Sequence, residues 1–248
     1  MNVIDANAYL GEWPFRDLRH KTAAQLLELM DSARIERALV SSLTAVFRQD
    51  VAECNEALLS AVSGCRERLA PLVTINPGYP EWQTDLAEAG EVCGIRLYPN
   101  YHGYEAADAA PVLEAAASLG LPVFVAVRLQ DERQHHPACR VAQVAPEAIL
   151  SMAGMVPAAR ITATMARLGE AERMLACETI CVDISGIQGP AGCIERLVEK
   201  FGAKRLLFGS GIPLQYPLPN VMKLDMARIS GLERELIRAG NAAHLVRG

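Results

Sequence analysis

The sequence predicts one α/β domain over residues 1–248, a closed (β/α)8 barrel of the TIM-barrel type. Three observations carry this. Short segments rich in Val, Ile and Leu alternate with helical stretches along the whole chain. Few of these segments alternate apolar with polar residues, which is the pattern of parallel strands buried on both faces. Eight of them occur, which suits a closed barrel better than an open doubly wound sheet, and no G-x-G-x-x-G or P-loop sequence is present.

The strands are expected at Asn2–Tyr9, Arg37–Leu43, Leu69–Asn76, Val92–Pro99, Pro122–Leu129, Arg160–Ala166, Ile180–Ser185 and Arg205–Gly211. In the first, Asn7 and Tyr9 alternate with Ala6, Ala8 and Leu10 and so share one side. Gly11 breaks the run, and Glu12–Arg16 follows as a polar and aromatic loop. Thr22–Ala33 opens at a capping Thr and carries Leu26, Leu27, Leu29 and Met30 as an apolar stripe. Gln49–Cys65 and the shorter Trp82–Ala89 are the next helices. Asp108–Leu119 starts at a capping Asp and stops at Gly120 before Pro122. Ala145–Met155 ends at Pro157. Glu170–Cys177 follows, then Pro190–Phe201, with Pro in its first turn and Gly202 after it. Ser230–Ala239 and Asn241–Val246 close the chain. The longest stretch without periodicity, Asp131 to Pro146, follows the fifth strand, on the face where barrel active sites lie.

The 248 residues are 51% hydrophobic, enough for one sizeable core. A net charge of -5 without blocks of like charge argues against nucleic acid or an anionic membrane as partner. The N-terminus shows no basic-then-apolar signal peptide, and no apolar run reaches the roughly 18 residues that span a bilayer. The expectation is a soluble cytoplasmic protein. Seven cysteines, odd in number and scattered, fit small buried hydrophobes better than a disulfide framework. Cys177 and Cys181 lack a second pair to complete a zinc site.

Five segments in order carry a family resemblance. They are Val3-Ile4-Asp5 with Leu10-Gly11, Gly94-Ile95-Arg96-Leu97-Tyr98-Pro99, Leu121-Pro122-Val123, Leu206-Leu207-Phe208-Gly209-Ser210 with Pro213, and Gly240-Asn241-Ala242. On these the whole chain resembles the amidohydrolase-related TIM barrels, metal-dependent hydrolases and decarboxylases of small carboxylated substrates. The resemblance places that family's first-strand histidines at Asn7 and Tyr9 and its fifth-strand histidine at or near Ala126. The sixth-strand histidine falls near Thr164 or Met165, the eighth-strand aspartate at Gly211, and the bridging residue of binuclear members near Arg96. Amide, phenol, alanine and glycine are poor zinc ligands. No metal and no other cofactor is therefore expected, with zinc or another divalent ion only if His102, His135 or His136 builds a displaced site. The resemblance also implies a homodimer.

Strand alternation points Asn7 and Tyr9 into the barrel, pairs Arg96 with Tyr98 on one face, and sets Arg128 beside Ala126. Arg96 and Arg128 would then stand at the mouth as a clamp for a small anion, or be paired with Asp131, Glu132 or Asp183. Arg16, in the loop after the first strand, could meet an acidic ligand or pack on the rim. Tyr98 to Tyr104 offers His102 as acid or base, and Arg128 to Pro137 brings Asp131, His135 and His136 together; each reads equally as a structural loop. Asp183 and Ser185 share a face of the seventh strand, but Ser185 shows no adjacent base in the sequence. The resulting expectation is metal-independent hydrolysis of a small carboxylated lactone, ester or amide. Asn7, Arg16, Arg96, Arg128, Asp131 and Asp183 would bind the substrate, and Tyr9 or Tyr98 would steady the oxyanion. His102, His135 or His136 would move the proton. The alternative is a catalytically silent relative that binds a small anion or a partner subunit.

Overall fold

The computed structural model describes residues 3–88, 90–137 and 139–247. Asn2 and Ala89, the expected start of the first strand and end of the third helix, lie outside the described residues, as do Met1, Ala138 and Gly248. Eight parallel strands run in chain order: β1 (Ile4–Leu10), β2 (Arg37–Ser42), β3 (Leu69–Thr74), β4 (Gly94–Leu97), β5 (Val123–Ala126), β6 (Ile161–Thr164), β7 (Ile180–Asp183) and β8 (Leu206–Leu207). The ring closes through the segment after β8. Ala6 N–H donates to Phe208 O at 2.9 Å, Gly211 N–H to Asn7 O at 2.8 Å, and Tyr9 N–H to Ile212 O at 2.8 Å. The protein is a (β/α)8 barrel, as predicted.

The helices are α1 (Ala23–Ser32), α2 (Ala52–Val62), α3 (Trp82–Glu88), α4 (Pro99–His102), α5 (Ala110–Ser118), α6 (Pro146–Met155), α7 (Leu168–Leu175), α8 (Cys193–Phe201), α9 (Leu218–Met226), α10 (Gly231–Glu235) and α11 (Asn241–Arg247). Thr22 caps α1 in a capping box with Gln25, and Leu26 and Met30 face inward. Several boundaries depart from expectation. Asp108 is not a cap but reaches back to the Glu105 N–H at 2.9 Å. Pro190 lies outside α8, whose cap is Gly192 in the left-handed region at φ 82°. Helix α9 was not anticipated, because Pro217 and Pro219 at its start mask its period. Of the seven cysteines only Cys193 is buried; the other six are half-buried, less enclosed than expected. Among the described residues no helix is long and apolar enough to cross a membrane.

Strand β1 carries a bulge. Asp5 opposes Ala38 and Ala8 opposes Val40, so three steps on β1 match two on β2. Asp5 fills the kink, accepting the Asn7 N–H and the Ser210 N–H, both at 2.9 Å, and the Ser210 hydroxyl. It thereby ties the first strand to the last. Above this point Asn7 and Tyr9 are both fully buried.

Candidate active site

A guanidinium lies in the middle of the barrel. Arg96 on β4 has no exposed surface. Its Nε donates to Ser41 Oγ at 2.9 Å, its Nη1 to Thr164 Oγ1 at 2.8 Å and its Nη2 to Asn7 Oδ1 at 3.1 Å. The rings of Tyr9 and Phe124 lie 5.3 and 5.5 Å from its Cζ. All these partners are neutral, and arginine does not deprotonate in a protein. The Arg96 charge draws down Asp183, although burial is the larger effect and holds that carboxyl above its usual range.

A chain of hydrogen bonds runs on from Arg96. The Asn7 amide accepts from Arg96 and donates through Nδ2 to Ser185 Oγ at 3.1 Å. The Ser185 hydroxyl in turn lies 2.6 Å from Asp183 Oδ2. Asp183 Oδ1 accepts the Met165 N–H at 2.9 Å, so both oxygens are fixed. Gly209 makes room for this carboxylate, since a Cβ there would stand 2.3 Å from Asp183 Oδ2. Met165 adopts φ 61°, a conformation that costs a side-chain-bearing residue energy. It is gripped on both sides: its N–H by Asp183 and its carbonyl by Arg128 Nη1 at 2.8 Å.

The mouth of the barrel is divided. Over β1, β2 and β4 it is plugged by Tyr9, Trp13, Leu43, Val46, Tyr98, Leu129 and Leu214, with Phe15 and Tyr101 packed on them. Trp13 is fastened by its Nε1 donating to Gln130 Oε1 at 3.0 Å. Over β5 to β8 a cleft of about 1500 Å3 remains, with Met165, Ser185, Gly186 and Arg128 among the residues lining it. Among the described residues, Arg16, Arg128, Arg133, Arg167, Lys223 and Arg228 line it, against Asp131 and Glu195 as the acidic side chains. The cleft is thus locally basic on a chain of net charge -5. Lys223 holds the floor by donating at 2.6 Å to Ile184 O, Ile187 O and Asn220 Oδ1, and burial lowers its pKa to about 8.

The expected site residues fall into three groups. Arg16, Arg128 and Asp131 line the cleft. Arg16 donates to Leu214 O at 2.7 Å. Asp131 binds Arg133 at 2.8 Å and Arg167 at 2.8 Å, and the Arg133 hydrogen bonds hold its carboxyl well below the usual range. Asn7, Arg96 and Asp183 belong to the internal chain beneath the cleft. Tyr9, Tyr98, His102, His135 and His136 do not line it. Burial raises Tyr9 to about 12 and raises Tyr98 further. His102 Nε2 lies 3.0 Å from Ala45 O, and burial lowers its pKa. His135 stacks on Phe15 with centroids 5.2 Å apart, and His136 is exposed. The two-arginine clamp needs correction. Arg96 is sealed below the plug, and the Arg128 fork is taken by Glu170, which it meets at both carboxylate oxygens, rather than by Asp131, Glu132 or Asp183.

At the positions where the resemblance places the family's metal ligands, the side chains present are poor donors for a divalent ion. Both polar ends of Asn7 are committed, and Tyr9 offers a phenol where the family's pattern has an imidazole. The Arg96 guanidinium bridges Asn7 and Thr164, two of those positions, and its fixed positive charge repels a second cation. Among the described residues no three His, Cys, Asp or Glu side chains are grouped to hold a metal.

Fold and site define a (β/α)8 barrel that gathers its polar groups at the C-terminal ends of its strands. The chain belongs to the amidohydrolase family, whose model matches residues 4–248. No curated protein matches the sequence. Solved structures share the fold at low identity. The 5-carboxyvanillate decarboxylase of Sphingomonas paucimobilis has a TM-score of 0.74 at 15% identity, covering 99% of each chain. A dihydroxybenzoic acid decarboxylase from Polaromonas sp. JS666, with bound manganese and 2-nitroresorcinol, gives 0.76 at 18%, covering 100% of this chain and 97% of its own. A probable 2-pyrone-4,6-dicarboxylic acid hydrolase from Acinetobacter baumannii, with citric acid bound, gives 0.68 at 14%, covering 100% of both.

Proposed function

We propose that this protein hydrolyses a small carboxylated lactone, ester or amide in the cleft over β5 to β8, without the metal of its family. The observation that carries the reading is the basic cleft set directly above the Asp183–Ser185 pair. Basic side chains there would hold the substrate carboxylate, with Arg16, which forms no ion pair among the described residues, as the first contact. Asp183 is the base: its carboxyl is buried, pushed up from the ordinary carboxylate range, and reaches the cleft through the Ser185 hydroxyl. Arg96 supplies a permanent positive charge to the same chain through Asn7. Carboxylated small rings recur in the names of the fold's solved relatives, which supports the substrate class.

The test is turnover of a panel of carboxylated lactones, esters and amides with chelator present, alongside metal analysis of the purified protein. Turnover should survive chelation. Arg16→Met should raise KM about 10-fold or more, the equivalent of one lost charge-assisted hydrogen bond. Activity that disappears with chelator and returns with a divalent ion would sink the metal-free reading.

The enclosure of Tyr9, Tyr98 and His102 away from the cleft favours a second reading, a silent relative that binds a small anion. Saturable binding of carboxylates without turnover on the whole panel would establish it.

A further inference from the structure

Ser185 stands just past the end of β7, between a buried carboxylate and the cleft. Its hydroxyl has one proton and two acceptors within reach: Asp183 Oδ2 at 2.6 Å and the Met165 thioether at 3.1 Å. An ionised carboxylate is the far stronger acceptor, so the proton is directed to Asp183. Asn7 Nδ2 occupies one lone pair of the oxygen at 3.1 Å, which leaves one for attack. The pair is rigid. Met165 N–H holds the other oxygen of Asp183, and Gly209 lets the carboxylate lie close against the backbone after β8. Gly186, the next residue, is pressed against the Met165 carbonyl, where a Cβ would come within 2.5 Å, so the turn carrying Ser185 is fixed as well.

We propose that Ser185 is a covalent nucleophile, with Asp183 as its base, for esters or lactones of small carboxylic acids. This rests on the hydrolytic reading and names its chemical path. Ser185 Oγ bonds to the substrate carbonyl carbon as its proton passes to Asp183 Oδ2. The tetrahedral adduct collapses, the bond from carbon to the alcohol oxygen breaks, and that oxygen takes the proton from Asp183. Water then adds to the acyl carbon and gives its proton to Asp183. The bond from carbon to Oγ breaks, and Ser185 recovers the proton. Ester and water become acid and alcohol, with no other reactant consumed. Met165, whose thioether lies over Oγ, is the side chain that must rotate for the substrate to reach it.

The experiment treats the full-length protein with a small alkyl fluorophosphonate and maps the adduct by peptide mass spectrometry, with the ester and lactone panel run in parallel. One phosphonyl group per chain is expected, on the peptide containing Ser185. Asp183→Asn should label about 100-fold more slowly, the contribution of a positioned base. Ser185→Ala should lose both label and turnover. Ser185→Cys, which keeps a small side chain with a donor, should take iodoacetamide at position 185 and guards against misfolding of the alanine variant. Turnover of the panel without an adduct at Ser185, or turnover retained by Ser185→Ala, overturns the nucleophile and leaves the hydrolytic reading standing. An adduct at Ser185 without turnover of any ester or lactone supports the nucleophile and counts against hydrolysis.

Discussion

Arg96 exchanges the hydration of a full charge for three hydrogen bonds to neutral acceptors and two aromatic faces. Removing it leaves those acceptors without a donor and Asp183 without one of the two cations that draw it down. Arg96→Met should therefore destabilise the fold by about 3 kcal/mol, read as a lower urea midpoint. Met165 offers a cleaner comparison. At φ 61° alanine is strained and glycine is not, so Met165→Gly should be at least as stable as Met165→Ala, reversing the usual order by about 1 kcal/mol. Thermal melts of the two variants decide it. Asp5 is raised from 3.8 to about 7 by burial. The folded chain keeps this proton over a window in which the unfolded chain has lost it. Its contribution to stability is greatest below the unfolded value and falls as pH rises towards 7. Asp5→Asn should remove that slope, so the difference in urea midpoint between variant and wild type should change across the window; a constant difference would contradict the assignment.

The order of the eight strands was legible because each is an apolar run between helix signals, and burial on both faces leaves little else for such runs to be. Their ends were not. The expected last strand, Arg205–Gly211, shrinks to Leu206–Leu207, because Phe208 to Gly211 turns from β7 towards β1 to close the ring. The bulge in β1 was equally silent, since Asp5, Asn7 and Tyr9 keep a two-residue alternation with Ile4, Ala6 and Ala8 that a regular strand would also show. The site was half visible. Arg96, Asn7 and Asp183 were marked as inward polar residues, and strand period put Ser185 on the face of Asp183. What the period could not supply was the 2.6 Å contact between the two, nor the aromatic plug that removes Tyr9, Tyr98 and the histidines from the cleft. Glu170 and Lys223 were missed because they come from helices α7 and α9, whose orientation over the mouth is a tertiary fact. Gly209 counted in the sequence only as part of the Leu206–Ser210 segment that carries the family resemblance; its fit against the Asp183 carboxylate is a tertiary fact. Gly209→Ala should cost about 2 kcal/mol or more by overpacking, and should lower kcat more than KM if Asp183 shifts. Chemical denaturation and steady-state kinetics test the two parts.

Taken as a whole, the molecule sets a basic cleft into an acidic body. The field of such a cleft draws anions in at low ionic strength and is screened as salt is added. On the hydrolytic reading, kcat/KM for a carboxylated substrate should fall several-fold between low and high salt, while that for its uncharged ester analogue stays level. Parallel salt titrations of the two substrates measure this directly.

The central guanidinium bears on how such a barrel comes into being. A bound ion must be found, admitted and retained, and a cell short of it makes empty protein. A charge carried on a side chain arrives with every chain at synthesis, in a ratio of one to one, and cannot leak away, be swapped for a competing element or be stripped by a chelator. On the metal-free reading proposed above, that charge has a chemical limit. A guanidinium has no open coordination position, so it can polarise neighbours through hydrogen bonds but cannot take a water molecule or a substrate oxygen as an inner ligand. On that reading bond making would fall to the groups it polarises; the hydrogen-bonded chain that starts at Arg96 ends at Ser185 beside Asp183.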